Sequence, residues 1–249
     1  MRHHLPVAFL IACTLGASEA RAQSTAWGEK GYISFNGMYR NESTDFNETT
    51  TFDLNHESAS VRAGHRIEPG PLFDITAGGR IKGNLGMGFG VSYIRRSEAA
   101  TVDAALPHPF YFNQPRTVTG NAAGLRHQDL AIHAHAMWLL PFSESVQVAL
   151  FGGPTFFKVT QQIVTAVQFT DEYPFDQATY TGISTVDARG SRFGYNAGTD
   201  ASVFFSQYVG IGGLVRFTRG TVQLPSPRGG EVSIDTGGLQ AGAGLRVRF

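Results

Sequence analysis

Along much of the chain apolar side chains take every second position, which is the period of a strand whose two faces meet different surroundings. Leu239, Ala241, Ala243, Leu245, Val247 and Phe249 share one face of the final stretch, while Gln240, Gly242, Gly244, Arg246 and Arg248 share the other. The same alternation predicts strands at residues 31–40, 71–82, 85–96, 125–140, 146–160, 190–205 and 209–224. Residues 85–96 show it well: Leu85, Met87, Phe89, Val91 and Tyr93 alternate with Gly86, Gly88, Gly90 and Ser92. An apolar outer face with a small or polar inner face suits a closed sheet between lipid and a narrow bore. The fold class expected is all-β: a single antiparallel transmembrane β-barrel of about eight strands.

The connections alternate between short and long. Tight turns are expected around Gly83, Ser143 and Gln207, and polar stretches at 41–70, 97–124, 161–189 and 225–230 read as loops. In such barrels the short turns are periplasmic and the long loops extracellular. Residues 58–67 carry strand-like residues. If they crossed the membrane, the two sides would have to be reassigned.

Residues 1–22 read as an export signal: a short basic start at Arg2, His3 and His4, an apolar run from Leu5 to Leu15, and Ala20-Arg21-Ala22 as a small-x-small cleavage site. The rival reading is a lipoprotein site at Cys13, the one cysteine in the chain. Cleavage after Ala22 leaves residues 23–249 as the barrel domain, with no thiol and no disulfide. No later stretch reaches the roughly 18 to 20 unbroken apolar residues of a membrane helix, so insertion falls to strands.

Charge and composition narrow the function. The 20 Lys and Arg balance 20 Asp and Glu, so no net field favours nucleic acid. Charged residues are only 16% while glycine is 30 of 249, a composition that suits a small bore and fits neither disorder nor a coiled coil.

The candidate chemistry is lumenal. Asp74, Arg80, Asp129, His133, His135, Asp200, Arg216 and Arg246 fall on inward positions and are expected to form a polar network, since ions in a narrow bore need partners. Lys82, Arg192 and Arg248 take inward positions by the same parity. His133 and His135 with Asp200 have the makings of a metal site, but lack a third identified strong ligand; no metal and no cofactor are expected. Lipid hydrolysis would need a Ser-His-acid set, which only loop histidines such as His56, His65 and His108 could supply. Phe110, Tyr111, Phe112, Tyr173 and Phe175 lie beside prolines in the long loops and are expected to make loop contacts or to anchor in headgroups.

The runs Gly31-Tyr32-Ile33-Ser34-Phe35-Asn36-Gly37, Gly70-Pro71-Leu72-Phe73-Asp74, Asn84-Leu85-Gly86-Met87-Gly88 and His108 to Arg116 resemble the family of small bacterial outer-membrane β-barrel domain proteins, of OmpA-like architecture. The resemblance implies the bacterial outer membrane, reached by export through the periplasm, and carries no catalytic motif. The terminal Leu245, Val247 and Phe249 resemble the assembly signal of such barrels, which implies the barrel-assembly machinery and outer-membrane lipid as partners. The expected role is structural or surface interaction through the extracellular loops, with a possible ligand there. A narrow channel for ions or a small hydrophobic solute is the alternative, and a lipid-modifying enzyme the third reading.

Overall fold

The computed structural model describes residues 31–143, 145–226 and 229–249. The expected leader, its cleavage site and Cys13 lie outside the described residues. Ten strands follow in chain order: β1 (Gly31–Arg40), β2 (Thr44–Leu54), β3 (Glu57–Ile67), β4 (Gly70–Lys82), β5 (Leu85–Pro107), β6 (Pro115–Pro141), β7 (Val146–Asp171), β8 (Ala178–Phe204), β9 (Val209–Pro225) and β10 (Glu231–Arg248). Eight close a ring in the order β1-β4-β5-β6-β7-β8-β9-β10, each antiparallel to its neighbours. The seam pairs the first strand with the last, from Tyr32 opposite Arg248 to Arg40 opposite Gln240.

At the seam and the three tight turns, the ring has the faces that alternation predicts. Phe73, Phe89, Phe193 and Leu245 are exposed on the outside, whereas Ser34, Asn36, Asp74, Ser92, His133 and Arg216 are buried within. Exposed aromatics mark both rims of the apolar band: Trp138, Phe142, Phe205, Tyr208 and Phe249 near the short turns, and Tyr39, Phe73, Tyr93, Phe193 and Tyr195 at the other edge. Phe193 to Phe205 spans about 40 Å of strand at about 3.3 Å per residue. With a tilt of about 40° this is about 30 Å of height, the thickness of a bilayer's hydrocarbon core.

Beyond that edge the pattern inverts. On β5 the outer positions become Arg95, Ser97, Thr101 and Asp103, while Ala100, Val102, Ala104 and Leu106 turn inward and are buried. Water replaces lipid outside, so the apolar face must move to the interior. This inversion corrects the expected loops. Residues 97–124 and 161–189 are chiefly strand, and only 108–114 and 172–177 remain as turns at the tips. Residues 41–70 form the β2–β3 hairpin. Its β3 pairs with the distal half of β5, from Ser60 opposite Ala105 to Arg66 opposite Ala99, and therefore adds no strand to the ring.

Two bulges explain why alternation ran out in the sequence. Between β5 and β6 the register shifts at Glu98/Ala99, where Gly124 is the extra residue and adopts a φ of 82°. Inward positions are even-numbered before it and odd-numbered after it, and glycine takes this left-handed backbone at little cost. On β7 a shift between Val164 and Ala166 buries Ile163 and Val164 in succession.

Past His127 opposite Gln161, β6 and β7 no longer pair. The distal lobe is thus a sheet of β2, β3, β5 and β6 facing a ribbon of β7 and β8. Ala59, Val61, Val102, Val118, Leu125 and Val164 belong to the apolar core between them. The hairpin also supplies partners for the β7 bulge: Glu48 accepts from the Val164 backbone N–H and the Thr50 hydroxyl donates to its carbonyl at 3.4 Å. Glu48 is held by His65 Nε2 at 3.1 Å, and the His65 ring stacks on Phe46 with centroids 4.4 Å apart.

Candidate functional site

Two regions carry chemistry: the bore and the distal tip. In the bore, three cationic side chains cross between strands. Near the short turns Arg246 on β10 meets Asp200 on β8, with Nε at 3.3 Å, and donates to Asn36 Oδ1 at 2.6 Å. Higher up, Arg216 on β9 reaches Asp74 on β4 at 2.8 Å and clasps Gln240 at 3.0 and 2.7 Å. Nearer the lipid edge Arg40 on β1 lies 3.5 Å from Asp129 on β6, which also accepts from the Thr236 hydroxyl. Burying an isolated charge in such a place costs several kcal/mol, which is why each cation ends on a carboxylate.

The histidines are equally committed. His133 sits between Ser92 and Thr155, with both ring nitrogens at 2.9 Å from hydroxyl oxygens. His135 Nδ1 lies 2.9 Å from Asn196 Oδ1. Gly90 makes room for Thr76 and His135, because a Cβ there would stand 2.6 Å from Thr76 Oγ1 and 3.3 Å from His135 Nε2. Ser92 and His133 have the spacing of a nucleophile and base, but the third member is Thr155, a hydroxyl, and His133 is fully buried. Among the described residues no group of three His, Cys, Asp or Glu is placed to hold a metal ion.

Arg80 is half-buried at the short-turn end, lining a cavity of about 50 Å³ shared with Tyr32, Met137 and Phe151. That volume holds a few waters. Lys82 and Arg192, inward by parity, are exposed; Arg192 instead bonds Gln223 on the outer surface. Arg248 is buried and stacks over the Phe204 ring at 4.1 Å.

The tip gathers residues far apart in the chain. Phe110, Tyr111 and Phe112 sit on the β5–β6 turn, and Tyr173 and Phe175 on the β7–β8 turn. Four of the five are 58% to 86% exposed. Phe110 and Phe175 make an edge contact at 5.5 Å, and Tyr173 meets Phe175 at 6.1 Å, so the two turns present one aromatic surface.

Buried Arg116 ties the turns together: it bonds Asp171 at 2.7 Å, the Phe175 carbonyl at 3.0 Å and the Pro107 carbonyl at 3.3 Å. His108 Nδ1 accepts from the backbone N–H groups of Phe110 and Tyr111, at 3.1 and 3.2 Å. The β2–β3 turn joins in, with Asn55 donating to the Pro107 carbonyl and Glu57 accepting from Asn113 N–H. His56 lies on that exposed turn, while His65 is committed to Glu48 and His108 to the tip backbone, so the loop histidines serve separate structures.

Sequence reasoning missed Arg116 and Asp171 as the brace of the tip. It also missed Asn36, Ser92, Thr155, Asn196 and Gln240 as network members, although parity put Asn36, Ser92, Asn196 and Gln240 on inner faces. For the brace no signal existed, because it depends on strands extending past the expected loop boundaries.

No protein-family model matches the chain, and no curated protein matches it. Among solved structures it is similar to the outer membrane protein OprG from Pseudomonas aeruginosa, at 9% identity over 89% of this chain and 97% of that one, with a TM-score of 0.46. It is similar to Neisserial surface protein A, at 15% identity over 88% and 97%, TM-score 0.36. The outer membrane protease OmpT from Escherichia coli matches at 8% identity over 88% and 97%, TM-score 0.43. These likenesses are of fold, and the assignment rests on the chain's own geometry: a closed antiparallel ring, apolar outside and polar inside, makes this protein a transmembrane β-barrel of eight ring strands.

Proposed function

We propose that this barrel sits in the outer membrane of a Gram-negative-type envelope and acts as a non-enzymatic surface-interaction protein, binding through its distal aromatic tip. One observation carries the reading: Phe110, Tyr111, Phe112 and Tyr173 stand exposed at the end farthest from the membrane, on a frame fixed by Arg116 and His108. Large aromatics left in water on a braced support are suited to bind a partner, since little entropy remains to be lost. The bore supports a non-conducting role, because its charges are paired across it and its side chains fill it. On the same reading the short turns face the periplasm, and Leu245, Val247 and Phe249 engage the assembly machinery.

The test is a glycan and protein array probed with the folded chain and with a Phe110→Ser/Tyr173→Ser variant. Binding by the wild type that falls at least tenfold in the variant supports the tip. Equal binding by both, or none by the wild type, defeats it.

A further inference from the structure

The outer wall carries a second surface at the lipid edge. Strand register aligns Tyr93, Leu130, Lys158 and Ser191 in one row across β5 to β8, and Arg95, Gln128, Thr160 and Arg189 in the next. Arg126 stands one step farther out. Below the rows the wall is apolar, with the Phe156 and Phe193 rings 5.1 Å apart. Between them is an open groove of about 320 Å³, lined by Tyr93, Arg126, Leu130, Lys158, Asp187 and Arg189 among others. Its size is at the lower end of small-molecule sites, roughly 300 to 1,000 Å³.

The charge there is uneven. Arg126, Lys158 and Arg189 line the groove beside a single carboxylate, Asp187, which Arg126 grips at 2.6 and 2.8 Å. That hydrogen bond holds the Asp187 carboxyl below the usual carboxylate range. Among the described residues no carboxylate lies within 4.0 Å of the cationic nitrogens of Arg95, Lys158 or Arg189. The opposite wall differs: Arg219 on β9 is shared by Glu42 at 3.4 Å and Asp235 at 3.1 Å, so the cation there is already neutralised. The basic excess is therefore local to β5–β8.

We infer that this groove binds the phosphate-bearing headgroup of an outer-leaflet lipid, with Lys158, Arg189 and Arg126 holding phosphate oxygens and the acyl chains lying along Tyr93, Leu130 and Ile132. Charge-assisted bonds to phosphate are strong at an interface where water is scarce, and the arginine fork matches the oxygen geometry. The apolar floor and cationic rim together select a lipid over a soluble anion. The inference rests on the outer-membrane placement proposed above, and it is independent of the tip.

The test uses the full folded chain in neutral detergent micelles, each variant first shown to fold by its heat-dependent gel shift. Native mass spectrometry would count retained molecules of a diphosphorylated acyl disaccharide, its dephosphorylated form and inorganic phosphate. The wild type should retain one phosphorylated glycolipid and bind the dephosphorylated form at least tenfold more weakly. Lys158→Gln/Arg189→Gln should lose at least tenfold in affinity, and Arg219→Gln should match the wild type. If the double variant does not fold, each single variant should weaken retention at least threefold. Wild-type retention by the Lys158 and Arg189 variants, or equal retention of the dephosphorylated lipid, would overturn the site. Displacement by equimolar inorganic phosphate would overturn the lipid as its source. Loss of tip binding in the array experiment would leave this result unchanged, so the two readings fail separately.

Discussion

Arg216 and Asp74 are both fully buried in the bore and are each other's charge partner. Removing one partner of such a pair leaves an uncompensated ion, at a cost of about 3–5 kcal/mol. Asp74→Asn should therefore lower the urea midpoint of the folded barrel strongly, while Asp74→Asn/Arg216→Met should recover most of the loss. A double variant as unstable as the single one would mean the ion pair is not what holds that level of the bore.

Glu98, buried just beyond the lipid edge, shows the opposite sign. Burial raises its pKa above the ordinary carboxylate value, only partly offset by the Glu68 backbone N–H and by Arg96 and Arg40. The native state then binds this proton more readily than the unfolded chain, so stability falls as pH rises through the raised pKa. Glu98→Gln should be more stable than wild type at pH 7, with the difference vanishing as pH falls below about 4, where both states of the wild type are protonated. Urea unfolding across that pH range measures it, and a constant difference would contradict it.

Among the elements, the β2–β3 hairpin is the one the ring does not need. Arg40 and Gly70 already face each other across β1 and β4, so a short turn can replace residues 43–68. The shortened chain should still show the heat-dependent gel shift, while the distal halves of β5 to β8 become protease-sensitive, having lost the Glu48 and Thr50 contacts to the β7 bulge. Failure of the ring to form would show that the hairpin is part of its folding core.

This division follows what was legible in the sequence. Within the membrane, lipid outside demands an unbroken apolar parity, so the ring strands and the inward His133, His135 and Arg216 could be read from it. Above the membrane the apolar face turns inward and is built of small residues such as Ala100 and Ala104, and the bulges at Gly124 and Val164 shift the parity. Those stretches therefore looked like polar loop. The tip aromatics were visible as exposed residues, but their brace was not: Arg116 finds Asp171 only because two strands run some 15 residues past the lipid edge, about 50 Å at 3.3 Å per residue.

At the scale of the molecule, a filled bore and a projecting lobe divide the work. Reconstituted wild type should give no discrete conductance steps in a planar bilayer, because Arg246–Asp200, Arg216–Asp74 and Arg40–Asp129 tie charged side chains across the bore at three levels. Removal of the hairpin should not change this, since Arg216, Asp74, Arg246 and Asp200 lie below it. Steps in the wild type would reinstate the narrow channel. At the tip, Arg116→Ala should speed hydrogen exchange at residues 108–114 and 172–177, through loss of charged hydrogen bonds of about 1.5–3 kcal/mol each. Protection in the ring strands should stay as in the wild type.

The seam sets an order of events. Gly31 and Phe249 exchange backbone hydrogen bonds at 2.9 Å in both directions, although more than two hundred residues separate them. While the chain is being made β1 waits for its partner, with one edge unsatisfied until β10 arrives. Such long-range pairing is slow, and an open edge invites wrong partners. The ring therefore cannot close before β10 pairs with β1, so the pairing of the two sequence-distant strands is the contact on which closure waits.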